Sequence, residues 1–203
     1  MTHVELTAAG SPEAKVHLDA MLRALQDALR LPPVWNAPMV AAVDRAFAAY
    51  DAYIALVVAR HPVSCAQGCT ACCHDNPRNL TGVELRRLHD AVMALPGAGS
   101  TMSKFSALAA QKADPEAWRK RGVPCPLLRD GRCSTYAARP VACRGFHALT
   151  PAQWCSPGHP RYAERVNPHL EPPAVLLQCL RVLSDRLGLA HGDDLHAGMS
   201  RLG

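Results

Sequence analysis

The chain has 203 residues, of which 49% are hydrophobic, 19% charged and 5% aromatic, with a net charge of +5 at pH 7. A chain of this size makes one domain, with or without a helical extension, and buries roughly 70–75% of its unfolded surface, so it needs neither disulfides nor a metal merely to have a core. The composition excludes a disordered chain, a collagen-like fibre and a coiled-coil rod.

The opening MTHVELTAAGSPEAK has neither a basic n-region nor an apolar h-region, so no secretory signal is expected. Ser11-Pro12 predicts the start of a first helix, with Ser as N-cap and Pro at the first helical position. Leu18, Met21, Leu22, Leu25 and Leu29 give it one apolar face, and Leu31-Pro32-Pro33 stops it. A second helix is predicted over 38–60, with Val43, Phe47, Tyr50, Ile54 and Val57 as its seam. A short connection makes the two an antiparallel hairpin, used for packing or dimerisation. The longest apolar stretch, 52–59, lies in this helix and is far short of the roughly 20 residues a membrane span needs.

Thr81 and Glu84 have capping-box spacing and open a third helix, buried through Leu85, Leu88, Val92 and Leu95. Pro96-Gly97-Ala98-Gly99 reads as a flexible break, followed by a helical region over 104–113. Asp114-Pro115 caps another short helix through Trp118 and Arg121. From 122 to 173 there is little periodicity and proline recurs. So long an irregular run is improbable in a compact domain unless something ties it down. A last helix is predicted from near Pro173, with Leu176, Leu180, Leu183 and Leu187 on one face and Gly188 as its stop. The residues after His191 are expected to fray.

Nine cysteines carry most of the functional signal. Cys65, Cys69, Cys72 and Cys73 form one group; Cys125, Cys133, Cys143 and Cys155 form a second; Cys179 stands alone. An odd count fits a disulfide framework poorly, and in a reducing cytosol clustered cysteines serve as metal ligands or redox groups. Cys69-x2-Cys72 can aim two sulfurs at one metal from a tight turn, whereas adjacent Cys72 and Cys73 cannot point the same way in regular structure: they ligate different metals, or one binds while the other packs or stays a reactive thiol, and one of these two is the expected spare. The second group contains no close pair, so neither a zinc ribbon nor the bacterial ferredoxin run is present. The two groups are therefore expected to meet in space. All eight are candidate metal ligands.

Arg129, Arg132, Arg139 and Arg144 interleave with the second group, and are expected either to offset thiolate charge and donate to sulfur or to form a solvated basic loop. Tyr136 and Phe146 are expected to pack around the site. His74 and His147 neighbour cysteines and are alternative ligands. Cys179 is expected to be a small buried hydrophobe.

CAQGCTACC, the capped helix with Glu84, and CPLLRDGRCSTYAARPVACRGF together resemble the YkgJ-type cysteine cluster family, also called the CxxCxxCC or zinc- or iron-chelating domain. The resemblance runs from about Cys65 to Cys155 and implies metal chelation by a zinc or iron–sulfur protein. A similar motif accompanies methyl transfer in flagellin lysine N-methylases, but no Gly-rich cofactor loop is visible here.

The expected fold is mainly α, with helices around an irregular, Pro-rich, cysteine-ligated metal-binding core. The expected units are an N-terminal hairpin over 1–60, a cysteine-cluster domain over 61–160, and a Pro-rich linker with a C-terminal helix over 161–203. The first functional reading is a zinc, iron or iron–sulfur protein of the cytoplasm with a redox or metal-handling role. The second is a structural-zinc interaction module whose N-terminal helices meet a protein partner. The third is a methyltransferase-associated cysteine-cluster protein. No membrane is expected, and nucleic acid is disfavoured because no basic stripe with interleaved aromatics is present. Whether the chain is an enzyme is left open.

Overall fold

The computed structural model describes residues 11–65, 68–112, 115–156, 158–164 and 174–203, and it is mainly helical. Helix α1 spans Pro12–Arg30, and the Ser11 side chain accepts a hydrogen bond from the Ala14 N–H at 3.1 Å. Helix α2 spans Ala37–Arg60, and Asn36 caps it by accepting from the Met39 N–H at 3.2 Å. The two run antiparallel: Arg60 pairs with Glu13 and Arg45 with Asp27, each at 3.4 Å.

The whole α2 seam read from sequence is buried. On α1 the seam is displaced toward small residues. Ala14, Met21, Ala24, Leu25 and Ala28 are buried, while Leu18, Leu22 and Leu29 are only half-buried. Alanine at the contact lets the two backbones approach closely, which periodicity of large residues alone does not reveal.

After α2 the chain makes a 3-10 turn at Ala71–His74 and a short strand, β1, at Arg78–Leu80. Helix α3 covers Gly82–Met93 and carries both halves of the predicted capping box. Two further amides at its start are met from outside. The Val83 N–H donates to the Ser184 hydroxyl at 2.9 Å and the Gly82 N–H to His191 Nδ1 at 3.3 Å. A Cβ at Gly82 would meet the Leu189 carbonyl oxygen at 2.4 Å, so this approach needs glycine.

Helix α4 spans Ala98–Ala109 and begins earlier than the sequence predicts. The Pro96–Gly99 stretch is a tight junction, with Gly97 in the left-handed region (φ 76°) as N-cap. Helix α5 spans Pro115–Arg121; the proposed Asp114 cap lies outside the described residues.

The irregular run contains more order than expected. Strands β2 (Leu128–Arg129) and β3 (Arg132–Cys133) form a hairpin across Asp130-Gly131, whose φ values are 49° and 70°. Two left-handed residues are what a type I′ turn requires. A short helix, α6, follows at Val141–Arg144. Helix α7 spans Ala174–Arg186 and buries Leu176, Leu180 and Leu183. It stops at Gly188 (φ 64°), where the Leu189 N–H returns to the Ser184 carbonyl at 2.9 Å. Its expected start at Pro173 lies outside the described residues.

The expected frayed tail is structured. Strand β4 (Gly192–Asp194) pairs antiparallel with β1, matching Arg78 to Asp194 and Leu80 to Gly192. Helix α8 (Leu195–Ser200) follows, capped by Asp194 accepting from the Ala197 N–H at 2.8 Å, and buries Leu195 and Met199.

Two cores result. One joins α1, α2 and α7 and takes in Val83 and Val141. The other joins Leu80, α3, α4, Leu127, Ala138, Leu195 and Met199, with Cys125 and Cys133 packed at its margin. Among the described residues no helix is long and apolar enough to cross a membrane.

Candidate metal centre

Two backbone tethers bring the cysteine groups together. The Ser64 N–H donates to the Ala148 carbonyl at 2.7 Å, and the Ala148 N–H returns to Cys65 Sγ at 3.2 Å. The Cys125 N–H donates to the Cys73 carbonyl at 2.7 Å. The turn Ala152–Cys155 also packs against the turn Ala71–His74, which brings the backbone of Cys155 beside that of the first group.

Each cysteine has a distinct local support. Gly68 (φ 88°) turns the chain into Cys69. Cys72 and Cys73 occupy the 3-10 turn, closed by the Cys73 N–H to the Thr70 carbonyl at 2.9 Å. Cys133 lies on β3 beside Thr135, whose hydroxyl is 3.8 Å from its sulfur. Cys143 lies on α6. All nine cysteines are free and half-buried.

The thiols feel one another. A hydrogen bond with Cys73, followed by burial, pushes the Cys72 thiol far up. Burial pushes Cys125 up to about 12, and Cys133 and Cys72 add to it. Cys143 is also raised, first by burial and then by Cys125, Cys72 and Cys133, while Arg139 opposes. Cys65 is raised by burial, Cys69 and Cys72 against the Ala148 amide. Cys72 thus reaches thiols of both groups. Among the described residues, however, no set of three or more Cys, His, Asp or Glu side chains converges closely enough to hold a metal ion.

Residues 64–158 match the family model CxxCxxCC, described as a putative zinc- or iron-chelating domain. The matched segment is a little under half of the chain. The match supports metal binding by the segment, with zinc or iron as the described metals. No curated protein and no solved structure matches the chain.

Arg129, Arg139 and Arg144 of the matched segment donate to backbone carbonyls. Arg144 is buried and donates to Asp51 on α2 and to the Ala137 and Arg139 carbonyls. Arg129 donates to the Pro96 carbonyl at 3.2 Å and the Thr101 hydroxyl at 2.8 Å. Arg139 lies 3.5 Å over the Tyr136 ring, which is 63% exposed. Tyr136 therefore does not shield the site, contrary to expectation, whereas Phe146 is half-buried. The field of Arg139 lowers the Cys143 thiol.

Glu84 has a role beyond its capping box. Its buried carboxylate accepts from the Thr81 N–H at 2.8 Å, the Thr81 hydroxyl at 2.7 Å and, across the fold, the Val141 N–H at 2.8 Å. Val141 opens α6, so Glu84 and Arg144 hold the two ends of the turn that carries Cys143. The capping-box spacing showed one of these duties; the long-range one has no local signature. Asp51 was missed for the same reason.

His74 lies in the 3-10 turn with Nδ1 3.2 Å from the Thr70 carbonyl. Both ring nitrogens of His147 are buried, and neither has a hydrogen bond of good geometry among the described residues. Burial lowers the His147 pKa, with the Arg144 backbone opposing and Arg139 assisting. Cys179 packs half-buried on the first core, and burial raises its thiol, as a small apolar residue would require.

The donor chemistry fits a soft metal. Thiolates favour zinc, copper(I) and iron–sulfur centres over hard cations. The hydrogen bond with Cys73, and then burial, hold the proton on Cys72, burial holds those on Cys125 and Cys143, and a cation bound among them would favour their deprotonated forms.

Proposed function

We propose that the matched segment binds zinc or an iron–sulfur cluster through thiolates drawn from Cys65, Cys69, Cys72, Cys73, Cys125, Cys133, Cys143 and Cys155. The observation that carries this reading is the Cys125-to-Cys73 backbone bond at 2.7 Å, which makes the two sequence groups spatial neighbours. Metal binding would draw the sulfurs inward to the bond length of about 2.3 Å typical of zinc thiolates. The metal's chemistry, when bound, is Lewis acidity for zinc or electron transfer for an iron–sulfur centre. The chain's own residues supply the thiolates, orient Cys143 through Glu84 and Arg144, and restrict water by burial.

The role is redox or metal handling in a reducing cytoplasm, where free thiols persist. A purely structural metal is the second reading, favoured by the packing of Cys125 and Cys133 against the second core. In that case a protein partner would meet the hairpin of α1 and α2.

Metal and acid-labile sulfide content of protein purified without oxygen, read beside visible absorption, tests the proposal. Brown protein with iron and sulfide in near-equal amounts identifies an iron–sulfur centre. Colourless protein with stoichiometric zinc identifies a thiolate zinc site. Protein that takes up neither metal under reducing conditions refutes the reading.

A further inference from the structure

A cleft of about 610 Å³ opens between residues 69–74 and 152–156, and Cys69, Thr70, His74, Gln153 and Ser156 are among its lining. Two residues with metal-binding side chains, Cys69 and His74, thus line one cavity. The imidazole is also oriented. A carbonyl can only accept, so the 3.2 Å contact with Thr70 makes His74 Nδ1 the donor. In the neutral ring Nε2 then carries the free lone pair. Metal-ligating histidines are held in this way, with the second ring nitrogen donating to a backbone carbonyl. The Thr70 carbonyl also closes the turn that carries Cys72 and Cys73, by accepting from the Cys73 N–H at 2.9 Å. The same oxygen therefore fixes the imidazole and the double-cysteine turn.

We infer that His74 is a nitrogen ligand of the metal through Nε2, giving a mixed sulfur and nitrogen coordination on the side of the centre that faces the cleft. This rests on the metal-binding reading above. His147 is the competing imidazole. Its nitrogens are buried, but it does not line the cleft, and the charged side chain that acts on it is Arg139, not a thiol.

X-ray absorption at the zinc edge, on the full chain freed of metal and reloaded with zinc alone under reducing conditions, separates the possibilities. The expected spectrum has a sulfur shell near 2.3 Å and a nitrogen shell at about 2.0–2.1 Å with imidazole scattering. The nitrogen shell should vanish in H74A and persist in H147A. An all-sulfur shell in the unaltered protein overturns the assignment while leaving metal binding intact, and needs no variant to fold. A nitrogen shell that survives H74A also overturns it. Failure to take up zinc at all removes the underlying reading instead.

Discussion

The Cys125 amide and the Cys73 carbonyl, 2.7 Å apart, join the two halves of the cysteine constellation through the main chain. This bond positions the sulfurs' neighbourhood but does not draw them to a point. A metal would complete the closure. Stripping zinc or iron with a chelator should therefore speed amide hydrogen exchange across 122–156, while α1, α2 and α7, which share a separate core, keep their protection. Mass-resolved exchange on loaded and stripped protein checks this. Equal loosening of both regions would show that the metal supports the whole chain.

Glu84 satisfies three donors in a buried setting. E84A should leave them unpaired and cost about 3 kcal/mol or more, since each buried unsatisfied group costs roughly 1–3 kcal/mol. T81A, which removes the cap hydroxyl but leaves Glu84 with Val141, should cost about 1 kcal/mol. Denaturant unfolding gives both values. Metal content should fall in E84A more than in T81A, because Glu84 reaches α6 and Thr81 does not.

Arg144 fills a site that lysine cannot. Its fork serves Asp51 and two carbonyls, and its guanidinium lies 4.9 Å from the Phe47 ring centre. R144K keeps the charge but loses the divided geometry, and should cost about 2 kcal/mol in a denaturant titration. D51N should cost less than R144K, because the Asp51 side chain is 47% exposed and its loss leaves the two carbonyl bonds in place. Similar unfolding midpoints for R144K and the unaltered chain would count against this account.

His196 sits between the Trp118 and Phe105 rings, at 4.6 and 6.0 Å between centroids, and is 2% exposed. Burial lowers its pKa from 6.5 to about 4, with Asp194 opposing. The unfolded chain binds a proton near pH 6.5 and the folded chain does not until about pH 4. Its contribution is therefore fully present above pH 6.5 and is lost as the pH falls toward 4. The loss is on the order of 3 kcal/mol, at 1.36 kcal/mol per pKa unit. Stability measured at several pH values should show a shallower slope in that window for H196Q.

Much of the helical frame was legible in local patterns. Ser11, Thr81 and Gly188 mark helix boundaries through their own side chains or backbone freedom, and the α2 seam follows from spacing alone. Asp130-Gly131 was equally local and was passed over, because the strands it joins are only two residues long and show no alternation. What sequence could not show was pairing at a distance. Residues 192–194 become a strand because β1 is there to receive them. The site divides the same way. The cysteines and their grouping were plain, while the Glu84 bond to Val141 and the Arg144 bond to Asp51 exist only once the chain is folded.

The strand β4 and the turn into α8 also brace the chain just after the first cysteine group. The Leu195 N–H donates to the Pro77 carbonyl at 2.9 Å, and the His196 N–H to the Asn76 side chain at 3.3 Å. Residues only a few positions beyond Cys73 are thus braced by chain made more than a hundred residues later. On a translating ribosome, residues 65–73 emerge long before that brace can exist. A metal captured during synthesis would meet a loose ligand loop, and one captured after release would meet a fastened one. The moment of loading relative to the emergence of residue 196 would then govern how readily the centre assembles.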